Sequence, residues 1–159
     1  MKLFKYLFEF IIVIFFFSIF KIIGLKNSSN LSCFIFKKIG KIIRSSKKIR
    51  KNIKIVFPNA DENEEEKIIN HMWCNYGRVF AEYMHLKKFR DNKLNYIKTN
   101  LVEFDRLKEK KKPILFFSGH FANFELLAME IEKNGFELYA LYRPLNNIFL
   151  NPIMEKLRI

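Results

Sequence analysis

PILFFSGHFANFELLAMEIEKNGFELYALYRP, residues 113–144, is the stretch whose reading decides the fold. Pro113 opens an apolar run, Ile114, Leu115, Phe116 and Phe117, closed by Ser118 and Gly119. A short uninterrupted apolar run of this kind is the pattern of a parallel strand covered on both faces. Phe124, Leu127, Ala128 and Ile131 then recur at helical spacing up to Asn134-Gly135, a pair suited to a helix C-terminus. Residues 136–142 return to strand composition, and the loop Arg143-Pro144-Leu145-Asn146-Asn147 leads into a helix predicted over 148–157. Strand, helix, strand is a β-α-β unit, for which a right-handed crossover is expected. The predicted fold class is α/β: an N-terminal membrane helix and amphipathic helices, then the start of a parallel-sheet domain. Two parallel strands leave an open edge and an uncovered face. The chain is therefore expected to be truncated and to have little activity by itself.

Upstream of this unit, 101–112 reads as a charged helix ending in Lys108, Lys110, Lys111 and Lys112, cations that suit a C-terminal dipole end. Residues 94–98 read as a short edge strand. Phe57-Pro58 closes an earlier helix. Asp61 with Glu64 three residues on resembles a capping box. Ile69, Met72, Trp73, Tyr76, Phe80 and Tyr83 give an apolar helical stripe, read as core rather than as a stacking platform. His71 and His85 have no metal-ligand spacing and read as core or surface histidines.

Residues 3–25 are apolar apart from Lys5, Glu9 and Lys21, with no charge between Phe10 and Phe20. A spanning helix needs ~20 mostly apolar residues, and charges near its ends can snorkel. The block reads as a single span or a deeply seated interfacial helix. A cleaved signal peptide is the rival reading, but Gly24-Leu25-Lys26 offers no small-residue cleavage site. From Lys26 to Ala60 there is no acidic residue and there are ten basic ones. Positive flanks stay cytoplasmic, which predicts a single N-terminal anchor in the inner (plasma) membrane with the rest of the chain in the cytoplasm. Leu31, Phe34, Ile35, Ile39, Ile42 and Ile43 fall on one helical face, and Lys37, Lys41, Arg44 and Lys48 on the other. A basic amphipathic helix beside an anchor suits an anionic membrane surface. The predicted organisation is an anchor (1–25), a basic surface segment (26–57) and the first part of an α/β domain (58–159).

The chain has 159 residues, half of them hydrophobic and 19 of them Phe, against 5 Gly and 4 Pro, which excludes collagen-like and linker-rich classes. A net charge of +13 implies an anionic partner. Two Cys, at 33 and 74, are too few for a disulfide framework or a four-thiolate zinc site and read as buried reduced thiols. There is no P-loop, dinucleotide fingerprint, G-x-S-x-G elbow or H-E-x-x-H. No metal and no cofactor is expected.

His120 follows the first apolar run directly, and Glu125 is five residues on. Residues five apart on one helix do not face each other. The two can meet only if His120 lies in the turn before the helix and Glu125 in its first turn, with Gly119 permitting the turn and Asn123 as N-cap. Glu125 would then hold one imidazole nitrogen and leave the other free as a general base. Arg143 ends the second apolar run. Both residues would fall at the carboxyl edge of parallel strands, where open α/β sheets bind ligands. The structural alternatives are a core or capping histidine and an arginine that caps carbonyls or pairs with a carboxylate.

Gly119-His120-Phe121-Ala122-Asn123-Phe124-Glu125 resembles the His-x4-Asp/Glu block of glycerolipid-type acyltransferases, most closely that of the lipid A biosynthesis lauroyl/myristoyl acyltransferases. Asn52-Ile53 through Phe57-Pro58 and Tyr142-Arg143-Pro144-Leu145-Asn146-Asn147 resemble two further blocks of that family in the same order, and the apolar N-terminal helix resembles its anchor. The resemblance runs from the anchor to Arg158 and implies the N-terminal portion of an acyltransferase that moves groups other than aminoacyl groups. It implies His120 as the base, Glu125 as its partner, and Arg143, Asn123 and Asn146 as substrate-binding residues. It also implies an acyl-acyl carrier protein donor and a phosphorylated glycolipid acceptor, a hydroxyl of a lipid A precursor. Glu stands for Asp in the pair, and Ala122 stands where the resemblance leads one to expect Gly. The alternatives are a glycerophospholipid acyltransferase, which shares the pair but carries other flanking blocks, and a non-enzymatic basic membrane-binding fragment. Nucleic acid is not expected as a partner, because the aromatic residues are not interleaved with Arg.

Overall fold

The computed structural model describes residues 2–91, 101–109, 112–120 and 122–158. The element order is α1 (Lys2–Ile43), α2 (Ser46–Val56), α3 (Glu62–Glu82), a 3₁₀ turn (Tyr83–His85), α4 (Leu86–Asp91), α5 (Leu101–Glu109), α6 (Glu125–Lys133) and α7 (Asn151–Arg158). The chain divides into two compact units, one of Met1–Phe10 with Leu86–Ile159, the other Ile11–His85.

The unit Ile11–His85 is built on contact between α1 and α3. Gly24, at φ +78 and ψ 169, breaks α1 in the middle, where a residue with a Cβ would be strained. Beyond the break, small residues let the helices approach closely. A Cβ at Gly77 would collide with the Ser32 carbonyl, and one at Gly40 with the Trp73 indole. Phe80 of α3 receives the rings of Phe17, Phe20 and Phe36 at 5.2–5.9 Å. His85 is buried, with Nε2 at 3.1 Å from the Phe20 carbonyl and 3.2 Å from Ser28 Oγ, as the core reading of this histidine expects. Ile49 and Ile53 of α2 join Ile69 and Trp73 of α3 in a small core. The capping box forms as the spacing predicted: the Glu64 N–H donates to Asp61 Oδ1 at 2.7 Å and the Asp61 N–H to Glu64 Oε2 at 3.1 Å. The reading of Cys33 and Cys74 as reduced thiols is corrected, because the structure joins them in a disulfide between α1 and α3.

In the other unit, α4 packs on α6 and α7. Gly135, at φ +81, ends α6. Its N–H and that of Phe136 donate to the carbonyls of Glu132 and Ile131 at 2.8 and 3.4 Å. The α/β reading is corrected here: among the described residues there is no strand and no sheet. Residues 113–118 and 137–142 belong to no helix or strand and exchange no backbone hydrogen bonds with each other or with any other described segment. Side chains meet instead, Phe116 on Phe136 with ring centres 6.0 Å apart, and Phe104 of α5 on Phe136 at 5.8 Å. The alternate residues Leu115 and Phe117 are 77% and 88% exposed. The side-chain period of a strand is present, but the ladder that makes a strand is not, and an isolated pair of strands is marginal in water. The edge strand expected at 94–98 lies outside the described residues, as do Lys110, Lys111 and Phe121. The helix predicted over 101–112 is found as α5.

Candidate active site

Everything in this site belongs to the unit that holds α4 to α7. His120 precedes α6, and Ala122 to Phe124 lead into it. Ala122 turns the chain with φ +44, the left-handed region that residues with a Cβ seldom occupy. The carbonyls of Asn123 and Phe124 then accept the N–H groups of Leu126 and Leu127 at 3.2 Å each. Glu125 is the first residue of α6, as its predicted first-turn position requires. The N-cap position falls on Phe124, one residue later than the reading of Asn123 as cap, and no side chain caps the helix.

His120 is exposed, and its ring lies against Phe124 with centres 4.2 Å apart. Glu125 is half-buried and its carboxylate is gripped by Arg158 of α7. Arg158 Nε donates to both carboxylate oxygens at 3.1 Å and Nη2 to Oε1 at 2.6 Å. The structure thus sets His120 and Glu125 at the two ends of one turn with no hydrogen bond between them. Hydrogen bonds of a catalytic pair commonly tighten only when substrate is in place.

The Arg158 guanidinium also stacks on the Tyr142 ring at 5.0 Å. The Tyr142 hydroxyl donates to Asn151 Oδ1 at 2.6 Å, and the Leu145 N–H donates to the same oxygen at 2.8 Å. Arg90 Nη2 donates to the Arg158 carbonyl at 3.0 Å. One chain of contacts therefore runs from Glu125 through Arg158 and Tyr142 to the 142–147 loop. Within that loop Arg143 and Asn146 are exposed. Asn147 is buried. Its Oδ1 accepts from the N–H groups of Phe149 and Leu150 at 3.1 and 3.3 Å, and its Nδ2 donates to the Tyr6 carbonyl at 2.9 Å and to Glu9 Oε2 at 3.1 Å.

Sequence reasoning missed Arg158 and Asn151 and gave Tyr142 no role. A carboxylate at a helix start signals a need for a cation, but with seven Arg and 22 Lys in the chain, spacing cannot say which one answers. Among the described residues a cleft of about 740 Å³ lies around Phe57, Pro58 and Ile68 in the α1–α3 unit, and another of about 320 Å³ around Pro113, Phe116 and Phe136. Neither is lined by His120 or Glu125. Among the described residues no three His, Cys, Asp or Glu side chains gather as metal ligands.

Compared with known proteins, residues 1–159 match the family model described as bacterial lipid A biosynthesis acyltransferase. No curated protein and no solved structure matches the chain.

Proposed function

The chain belongs to the bacterial lipid A biosynthesis acyltransferase family and is an acyltransferase, and from that premise we propose that it moves a fatty acyl group from acyl-acyl carrier protein to a hydroxyl of a phosphorylated lipid A precursor at the cytoplasmic face of the inner membrane. The observation that carries this reading is the placement of His120 and Glu125 at the ends of one turn, the second held by Arg158, in a chain that matches the family over its whole length.

In this mechanism His120 takes the proton of the acceptor hydroxyl as the oxygen attacks the thioester carbonyl. The tetrahedral intermediate collapses, the new ester C–O bond stands, the C–S bond breaks, and the leaving thiolate takes the proton back from the imidazolium. Glu125 stabilises that imidazolium, and Arg158 fixes the carboxylate's position. Arg143 and Asn146, exposed on the loop that Tyr142 and Asn151 tie down, are placed to meet phosphate or sugar groups, and a basic surface favours both an acidic carrier protein and an anionic lipid leaflet.

The test is acyl transfer from acyl-acyl carrier protein to a lipid A precursor. His120→Ala, Glu125→Ala and the double variant are expected to lose similar, non-additive amounts of turnover, as groups that act as one unit do. Arg158→Lys keeps the charge but loses the bidentate fork, and is expected to fall between the parent and Arg158→Ala. A folded His120→Ala variant with near-normal turnover sinks the mechanism.

A further inference from the structure

Tyr142 is 43% exposed, in a segment where Tyr139 and Leu141 stand open to solvent, so burial does not call for a ring at this position. The ring has another use. The Arg158 guanidinium lies over its face at 5.0 Å. The hydroxyl at its edge donates to Asn151 Oδ1 at 2.6 Å, the oxygen that also accepts the Leu145 N–H at 2.8 Å. One side chain thus touches both the cation that grips Glu125 and the residue that ties down the 142–147 loop.

The two contacts converge on one side of α7. Asn151, Glu155 and Arg158 stand at i, i+4 and i+7, positions that share a helical face. Asn151 Nδ2 donates to Glu155 Oε1 at 2.9 Å, which commits the amide nitrogen to the helix and leaves its oxygen to the loop. The backbone of Arg158 is held from α4, where Arg90 Nη2 donates to its carbonyl at 3.0 Å. Its side chain is long, and the fork on Glu125 joins two flexible side chains to each other without joining either to the frame. Stacking on a ring supplies a fixed plane for the planar guanidinium.

We propose that Tyr142 is a positioning residue with two separable actions: its ring holds the Arg158 fork on Glu125, and its hydroxyl, through Asn151, holds the loop that carries Arg143 and Asn146. The proposal rests on the reading of His120 and Glu125 as the catalytic pair and of that loop as the acceptor's contact. The ring then governs turnover, and the hydroxyl governs affinity for the acceptor.

The full chain is to be assayed for acyl transfer beside its His120→Ala variant. Tyr142→Phe keeps the ring and loses the hydroxyl. It is expected to raise KM for the acceptor about 2- to 10-fold, the loss of one hydrogen bond, with kcat falling far less than in Tyr142→Leu. Asn151→Ala should raise KM likewise, and adding Tyr142→Phe to it should raise KM no further. Tyr142→Leu loses both contacts and is expected to lower kcat about 2- to 5-fold as well. Tyr142→Trp restores a stacking face without the hydroxyl and should recover kcat but not KM. A Tyr142→Leu variant with the parent kcat, or a Tyr142→Phe variant that loses as much kcat as Tyr142→Leu, overturns the positioning role, while an inactive His120→Ala leaves the catalytic reading standing. A folded His120→Ala variant with near-normal turnover removes that reading and this proposal with it. A second measurement is independent of turnover. In chain carrying isotope-labelled arginine, the Arg158 Nε–H signal, identified by its loss in Arg158→Lys, is expected to exchange with water severalfold faster in Tyr142→Leu than in the parent or Tyr142→Phe. Equal rates in all three overturn the proposal.

Discussion

At the scale of the residue, the turn between His120 and Glu125 hangs on Ala122. Its φ of +44 places a Cβ in left-handed backbone, at a cost of roughly 1–2 kcal/mol. Glycine removes that cost and adds unfolded-chain entropy worth ~0.4–1 kcal/mol against folding. The first effect is the larger, so Ala122→Gly is expected to stabilise the chain by about 0.5–1 kcal/mol, read from the denaturant midpoint. Ala122→Val puts a β-branched side chain in the same backbone and is expected to destabilise it. A loss of stability in the glycine variant would show that the left-handed turn is not what the folded protein uses. The strain also bears on chemistry, because Ala122 lies between His120 and Glu125 in the chain. A glycine there would relax strain and loosen aim together.

At the scale of the element, the α2–α3 pair shows how charge is sorted. Two carboxylates near the start of α3, those of Glu65 and Glu66, pair with cations of α1 and α2. Arg50 donates to Glu65 at 2.6 Å and to Glu66 at 3.1 Å, Lys54 lies 3.3 Å from Glu65, and Lys41 pairs with Glu66. The Arg50 hydrogen bond, then that of Lys54, holds the Glu65 carboxyl below its ordinary value, and Lys41 does the same for Glu66. A carboxyl lowered on folding stabilises the fold above its unfolded value, here near 4.5, and that contribution fades as pH falls through the lower folded value. Arg50→Gln is therefore expected to lower stability at pH 7, with a deficit that shrinks below pH 4.5 as both states take up protons. A deficit independent of pH would mean that Arg50 acts through packing alone. What was legible in the sequence divides at the same scale. The capping box, the Trp73–Phe80 stripe and the Asn134-Gly135 stop were readable because the interactions that make them lie within a few residues. The runs at 113–118 and 136–142 misled because a strand exists only through a partner's backbone, and composition cannot supply one. The Cys33–Cys74 bridge was hidden for a related reason, since its two halves lie 41 residues apart on helices whose register against each other rests on Ser32, Gly40 and Gly77. For the site, the positions of His120 and Glu125 around one turn were readable from local spacing, while the Arg158 grip, 33 residues away, was not.

At the scale of the whole molecule, the two units are held by different means, and this has a measurable consequence. Ile11–His85 has close helix contacts, a buried histidine and a disulfide. The unit of α4 to α7 has short helices and, among its described residues, segments outside any helix whose backbone groups find no ladder. Amides of 114–118 and 137–142 take part in no helix or sheet hydrogen bonding and are expected to exchange hydrogen fastest, while those of α3 from Ile69 to Ala81 exchange slowest. Reduction of the disulfide acts only on the unit it closes. A crosslink over about 41 residues restricts the unfolded chain by about 4 kcal/mol in the loop-entropy account. Reduction is therefore expected to speed exchange in α3 and in the part of α1 that faces it. It should change the rates of α6 and α7 far less, because both halves of the bridge lie in Ile11–His85. Cys33→Ser should reproduce the effect of reductant, and reductant should then change that variant no further. Equal acceleration in α3 and α7 would mean that the chain opens as one cooperative body.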